Sequence, residues 1–445
     1  MRKILLLLLL CCLFIPAQAQ VTLSDCVKIA LANNPGFKIN EAEANIAQED
    51  AQQAKSARLP SLDFAASYRR QSTVPELTIS PVQLPIGGTP ISLFPGGGMS
   101  LGLRDNYDFK LTLTQPIFTG FKLHHRVKAA SALAASRYLD NDRQRNELIF
   151  RVETAYAAVL KAQKLLQVAT SAREQVAAHL KDVTNFVEHG LAKRDELLKV
   201  QVKFSEAELV VMQAENGVRL ARVALENLMG QRLPETSKLD DMKAEETPAH
   251  DVGSSLELAF TERAELKALM QAQSASIAAR KIAQGGRWPS VGAFGTLGYG
   301  KPGLNFIEKQ WMDYWVVGIG AEWQLWNWGQ TRSQIQQQQL KIDVLSEALR
   351  QAQNTITLEV TQACLQLEEA YQRRQMLQLI ETQAQESYRV TENSYRQGQS
   401  SHTEFFDAQS ELTRARLQNA QAEVDLALAQ ANWRRAVGVN YRAYD

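Results

Sequence analysis

Two stretches constrain this chain more than anything else in it. The run from Phe121 to His189 contains neither glycine nor proline, the strongest local breakers of a helix. It is rich in Ala, Leu, Gln, Glu, Lys and Arg, all good helix formers. As one helix it would extend about 100 Å at 1.5 Å per residue. The run from Gln330 to Gln397 repeats that character in the other half of the chain. A helix in an ordinary globular domain averages about 11–12 residues, so two such rods serve a reach across a distance rather than the filling of a core.

The rods belong to an internal repeat, the first thing to seek when long elements match. Gly120 and Gly329 each precede a rod. Downstream, Gly190 matches Gly398, Glu196 matches Glu404, Leu209 matches Leu417 and Gly230 matches Gly438, all about 208 positions apart. Upstream, Arg58-Leu59-Pro60-Ser61 resembles Arg287-Trp288-Pro289-Ser290. The copies span 20–230 and 254–438. Each reads as short helices, strand, loop, strand, long helix, glycine break and second long helix. Between them 231–253, with Pro234, Pro248 and several acidic residues, reads as a surface connection, and 439–445 as a short tail in which little is left for any further role.

In four places the hydrophobic period changes from 3.6 to 2. The predicted strands are 61–70, 106–118, 288–300 and 312–326. In the second, Tyr107, Phe109, Leu111 and Leu113 alternate with Asp108, Lys110, Thr112 and Thr114. In the fourth, Trp315, Val317, Ile319, Ala321, Trp323 and Leu325 share a face. The facing of the third is ambiguous. At strand ends cluster Trp311, Tyr314, Trp315, Trp323, Trp326 and Trp328, as in the aromatic girdles of a transmembrane β-barrel. The lengths suit the 9–11 residues that cross a bilayer rather than the usual 5–6. Between the first two strands 73–103, rich in Pro and Gly, reads as a long loop; its counterpart 301–310 is shorter. Four strands cannot close a barrel, and lipid does not tolerate open sheet edges. Two chains would give eight strands and three would give twelve; an eight-stranded barrel is filled by its own side chains, so a conduit needs the larger number.

The return helices, 191–229 and 400–437, carry heptad seams that predict pairing with the rods 121–189 and 330–397. One seam contains Leu197, Val200, Phe204, Val211, Ala214, Leu225 and Leu228, the other Phe405, Leu412, Ala415, Asn419, Ala422 and Leu426.

The N-terminus reads as a secretory signal over 1–19: Arg2 and Lys3, an apolar core from Ile4 to Ile15, then Ala17-Gln18-Ala19. That core is shorter than the ~20 residues of a membrane span. Cys11 and Cys12 follow leucines, not the small residues that precede a lipid-attachment cysteine. Cys26 and Cys364 remain, one in each half, and read as free thiols packed among helices. A net charge of +1 gives nucleic-acid binding no electrostatic support.

Taken together, Leu23-Ser24-Asp25-Cys26-Val27-Lys28-Ile29-Ala30-Leu31-Ala32-Asn33-Asn34-Pro35, the turn Gln115-Pro116-Ile117-Phe118-Thr119-Gly120 and the doubled glycine-broken helices resemble the TolC-like outer membrane efflux protein family across the mature chain. The resemblance implies an α+β membrane protein: a homotrimer whose twelve-stranded β-barrel, four strands per chain, sits in outer membrane lipid and continues as a long periplasmic α-helical barrel with an equatorial domain. It implies a passive channel served by a periplasmic adaptor (membrane fusion) protein and an inner-membrane pump of the resistance–nodulation–division or ABC type. It implies no cofactor and no metal.

The same resemblance places the adaptor-docking tips at Gly190-Leu191 and Gly398-Gln399. It places a periplasmic gate at Glu404 and Asp407, with Asp195, Glu196 and Tyr395 as candidates for contacts that hold the closed state. An arginine that some relatives use as a latch is not matched, since Ser400 stands near its position. For the gate carboxylates, solvated charges on a helix face are the competing reading.

Among rival classes, an enzyme finds no catalytic constellation: the six His are scattered, His124-His125 has no metal-spaced companions, and no phosphate loop is present. A structural, periplasm-spanning coiled coil leaves the membrane strands without a purpose. Within transport, drug or other small-molecule efflux competes with type I protein secretion and heavy-metal export. Family frequency favours the first.

Overall fold

A computed structural model describes residues 21–86, 89–94, 96–190, 193–234, 237–242, 251–305, 309–439 and 444. The signal segment 1–19 and Leu191 lie outside these. The helices are α1 (Leu23–Asn33), α2 (Pro35–Ser56), α3 (Lys122–Glu188), α4 (Arg194–Met229), α5 (Val252–Glu262), α6 (Ala264–Gln284), α7 (Gln330–Arg396) and α8 (His402–Val437). The long strands are β1 (Ser61–Arg70), β6 (Asp105–Phe118), β7 (Ser290–Lys301) and β8 (Met312–Glu322). Four short ones, β2 (Glu76–Ile79), β3 (Val82–Ile86), β4 (Thr89–Phe94) and β5 (Gly97–Ser100), lie between β1 and β6. Both rods form, as α3 and α7 of 67 residues each. No described helix is long and apolar enough to cross a membrane.

The chain packs as two compact units, and neither is one copy of the sequence repeat. One combines Ile46–Ala134 with Gln271–Ser346, the other Met1–Asn45, Ala135–Met270 and Glu347–Asp445. Each unit thus draws on both copies, because strands from the two copies hydrogen-bond into one sheet.

That sheet is antiparallel in the order β1-β6-β7-β8. Its register pairs Phe64 with Leu111, Leu111 with Leu297, and Leu297 with Trp315. Since partners across a ladder share a face, one face collects Leu62, Phe64, Leu113, Tyr299, Val317 and Ile319. It is exposed: Val317 and Ile319 are 71% and 73% accessible. The opposite face pairs Asp63 with Thr112 and Thr112 with Thr296, whose hydroxyls lie 3.1 Å apart. The register thereby settles the facing of β7, which sequence alone left ambiguous. Among the described residues the outer edges of β1 and β8 pair with no strand.

The predicted loop 73–103 is instead largely ladder: β2 pairs with β5 and β3 with β4. Glycine and proline obscured the short apolar runs Val82-Gln83-Leu84 and Ile91-Ser92-Leu93. The fourth strand ends at Glu322, four residues short of the prediction; there the Trp323 indole N–H turns to donate to the Arg287 carbonyl at 3.2 Å. At the junction of sheet and helix, Gly120 and Gly285 approach backbone to backbone. A Cβ on Gly120 would lie 2.5 Å from the Gly285 oxygen.

The helical unit has two principal cores. Around Tyr156, Ile149, Val152, Leu225 and Met229 pack Cys26 and Val27 of α1 and Val424 of α8. A second core joins Ala259, Leu266, Ile356, Val360, Cys364 and Val437. Both cysteines are free and buried, and burial pushes the Cys26 thiol up to about 12, so it behaves as a small apolar group. The heptad seams are the packed faces: Val211 and Ala214 meet Ala169 of α3, while Leu412 and Ala415 meet Ala384 of α7. Small residues at these positions let paired helices approach closely.

The connection and the tail do more than the sequence suggested. Val21 bridges Leu239, and the Tyr156 hydroxyl donates to the Asp240 carbonyl at 2.8 Å. In the tail, the Tyr444 hydroxyl donates to the fully buried Glu153 at 2.6 Å, and Arg434 faces the same carboxylate at 3.4 Å. A buried carboxylate is costly unless it is paired and hydrogen-bonded. Tyr444 therefore completes a site inside the first core.

Candidate functional site

The two helix-to-helix breaks lie in the helical unit and use one device. After α3, Gly190 takes φ +73°, and after α7, Gly398 takes φ +72°. In this left-handed region a Cβ is strained, so glycine ends the rod without penalty. The Gly190 N–H donates to the Val187 carbonyl at 3.1 Å; Gly398 and Gln399 donate to Tyr395 and Ser394 at 2.9 and 2.8 Å.

The second halves of the breaks differ. α8 begins with a reciprocal cap. The Glu404 N–H donates to the Ser401 hydroxyl, and the Glu404 carboxylate accepts from the Ser401 N–H. The same carboxylate accepts from the Ser400 hydroxyl at 2.6 Å. These bonds, the Ser400 hydroxyl first, hold Glu404 below its ordinary value of 4.5. At the matching place in the first copy, Lys193 makes no side-chain cap. Ser400, where a latch arginine was missing, thus supports the acid beside it.

The other candidates fall into two settings. Asp195 is exposed and pairs with Lys199 at 2.7 Å, one turn along α4, a solvated contact worth little. Asp407 is exposed on α8. Tyr395 is half-buried and stacks on Phe405, ring centres 5.1 Å apart. Burial raises its phenol pKa, and the charges of Glu196 and Asp182 raise it further. Glu404 sits in a cap at the N-terminus of α8.

Sequence reasoning missed the centre of this site. The buried His179 of α3 lies among Tyr395 at 5.7 Å, Phe405 at 5.1 Å and Phe406 at 5.3 Å, and Tyr388 contacts Phe405 at 5.8 Å. The signal was available: Tyr388 and Tyr395 are two turns apart on one helix, and Phe405-Phe406 follows the cap acid directly. The cluster ties α3, α7 and α8 together next to the second glycine break.

The girdle candidates sit in the sheet unit, at two ends of the apolar face. Near the β7–β8 loop, Trp311 stacks on Tyr299 at 5.0 Å and contacts Tyr107 at 5.5 Å, which in turn meets Tyr68 at 5.0 Å. At the helix side, Trp326 and Trp328 make an edge contact at 5.7 Å. Trp315 lies on the apolar face. Tyr314 does not: it projects from the polar face, its hydroxyl 3.3 Å from Asp108. Adjacent strand residues point oppositely, so Tyr314 and Trp315 cannot both serve one lipid-facing belt. Among the described residues, no group of three His, Cys, Asp or Glu side chains could hold a metal ion.

A family model described as outer membrane efflux protein matches residues 26–231 and 256–439. The outer membrane protein TolC of Escherichia coli K12 is 22% identical over 426 residues, covering 92% of this chain and 80% of that protein. Two solved structures share the fold. The Campylobacter jejuni CmeC outer membrane channel has a TM-score of 0.77 at 16% identity, covering 94% of this chain and 86% of that one. The outer membrane protein VceC of Vibrio cholerae has a TM-score of 0.75 at 18% identity, covering 94% and 96%.

Proposed function

The chain belongs to the outer membrane efflux protein family, and from that premise we propose that it is the passive, trimeric exit duct of a tripartite efflux system, exporting drugs or other small molecules. It resides in the outer membrane, its long helices in the periplasm. One observation carries the channel reading: a four-stranded sheet with a continuous exposed apolar face and two outer edges that, among the described residues, pair with no strand. In lipid such edges must be closed by further copies. Three chains give twelve strands, wide enough to enclose water where eight would be filled by side chains.

On this reading the breaks at Gly190 and Gly398, with Leu191 and Gln399, meet a periplasmic adaptor, and an inner-membrane pump supplies the drive. Glu404 and Asp407, three copies each, ring the periplasmic end and attract cations. Asp195, Glu196 and Tyr395 support the closed tip, with Tyr395 acting through the aromatic cluster. Exposed Leu198, Val202, Leu209, Leu220 and Val223 on α4 favour contact with a neighbouring chain.

Planar-bilayer recording tests the duct. The wild type is expected to conduct weakly, and Glu404→Ala with Asp407→Ala to conduct more. Silence of both proteins would sink the channel reading. Identifying the inner-membrane pump that co-purifies separates small-molecule efflux from type I secretion and from metal export.

A further inference from the structure

Within the helical unit, α3, α7 and α8 enclose a cleft of about 470 Å³. Its size falls in the range of small-molecule sites, roughly 300–1,000 Å³. Its lining is polar where such sites are mostly apolar. Lys164 from α3, Arg374 from α7 and Arg416 from α8 all reach it, along with amides such as Gln167 and Gln378.

The two arginines are the cleft's main feature. Elsewhere in the unit, several arginines removed from solvent meet carboxylates: Arg263 meets Glu359 and Glu265, Arg222 meets Glu226, and Arg435 meets Glu147. Arg374 and Arg416 are half-buried, yet among the described residues neither has an ion-pair or hydrogen-bond partner. The wall carboxylates are engaged by other groups. Glu381 accepts from the Asn419 amide at 2.6 Å, and Glu423 faces Lys164 at 3.9 Å. Lys164 itself is shared with Asp241 at 3.3 Å.

We propose that this cleft binds a small polyanion bearing two or more carboxylate or phosphate groups, with Arg374 and Arg416 as its principal contacts. The guanidinium fork matches either group through two parallel N–H donors. Two forks on facing helices ask for a ligand with two anionic ends. Lys164 is already offset by Glu423 and Asp241, so the attraction rests on the two arginine forks: a singly charged anion engages one of them and a multiply charged one gains from both. Binding is salt-sensitive because the cleft is open to water. The proposal does not depend on the channel reading, since it uses no property of the pore.

Isothermal titration calorimetry tests it on the intact assembled protein in detergent at low ionic strength, with sodium pyrophosphate and, separately, citrate. Saturable binding of at least one probe is expected, and which probe binds names the anionic group. R374Q or R416Q should each weaken it about tenfold, the equivalent of one charge-assisted contact, and the pair should abolish it. R374K with R416K, which keeps charge without the fork, should retain weaker binding and show that the altered protein is folded. Absence of saturable heat with both probes, or unchanged affinity in the Gln pair, overturns the proposal.

Discussion

The Ser401 hydroxyl and the Glu404 carboxylate each bond the other's backbone N–H, at 3.3 and 2.8 Å. The acid expected to act as a free charge at a pore also serves to start a helix. Glutamine can hold the same box without charge, which separates the two roles. Bilayer conductance is expected to rise in the order wild type, E404Q, E404A: the first step reports the charge and the second the cap. Equal conductance for E404Q and wild type would assign Glu404 to capping alone. S401A, which removes the reciprocal partner, should cost about 1 kcal/mol of helix stability, read as lost helicity on heating.

The same pair fixes a pH window. Glu404 lies below its ordinary value of 4.5 in the folded tip, through hydrogen bonds to its ionised form. A depressed carboxylate contributes stability that is fully present above the unfolded value and is lost as pH falls through the folded one. Conductance set by this cap should therefore be level from neutrality down to that value and change only at more acid pH. In E404Q that acid transition should shrink. A Glu404-dependent change between pH 6 and 7, roughly the range where histidine titrates, would contradict this assignment.

Phe405 is 6% exposed and touches His179, Tyr388, Tyr395 and Phe406. F405A should cost about 3–5 kcal/mol locally and loosen the tip, seen as a higher resting conductance and faster amide exchange near Gly398. F405L, which keeps most of the volume, should fall between. A tip that exchanges no faster in F405A would show that the cluster does not hold it.

A Cβ on Gly398 would meet nothing within 4 Å, so only the backbone objects to a side chain there. G398V should cost about 1–2 kcal/mol, whereas G398N, tolerant of a left-handed backbone, should be close to wild type. If the break is a docking tip, a drug-susceptibility assay should find G398V impaired with its oligomer intact. Full efflux by G398V would remove this turn from the docking surface.

The sheet gives a test with an internal control. Leu111 lies on the apolar face and its neighbour Lys110 on the other. L111R should cost about 2–4 kcal/mol at mid-membrane depth and lower the yield of assembled protein in the outer membrane fraction. K110A should assemble normally. Equal yields would mean that this face does not meet lipid.

Much of this was legible because it is periodic. Glycine landmarks in both copies, rods without breakers and alternating strands mark elements by local rules, and each of the four long helices ends within three residues of its expected limits. What escaped depends on partners distant in sequence. The β2–β5 and β3–β4 ladders hid among glycines and prolines that also serve turns. Tyr314 was counted in the girdle because a girdle is recognised by composition, while register sets it on the face opposite Trp315. Tyr444 looked like the end of a tail because Glu153, 291 positions away, gives no local sign of needing it. The Ser401–Glu404 box was visible as Ser-x-x-Glu; the expected gate role drew attention to its charge.

In the order β1-β6-β7-β8 every neighbour is antiparallel. An even count makes the two outer strands run in opposite directions. A copy added beside β8 therefore presents its β1 in the antiparallel sense, and so does every later copy, including the one that closes the ring. Parity never forbids closure, and the same hydrogen-bonding rule holds within and between chains. Ring size is left to strand tilt and stagger. The bore of such a pore can change over evolution by altering curvature, with no strand inverted and no new kind of seam invented.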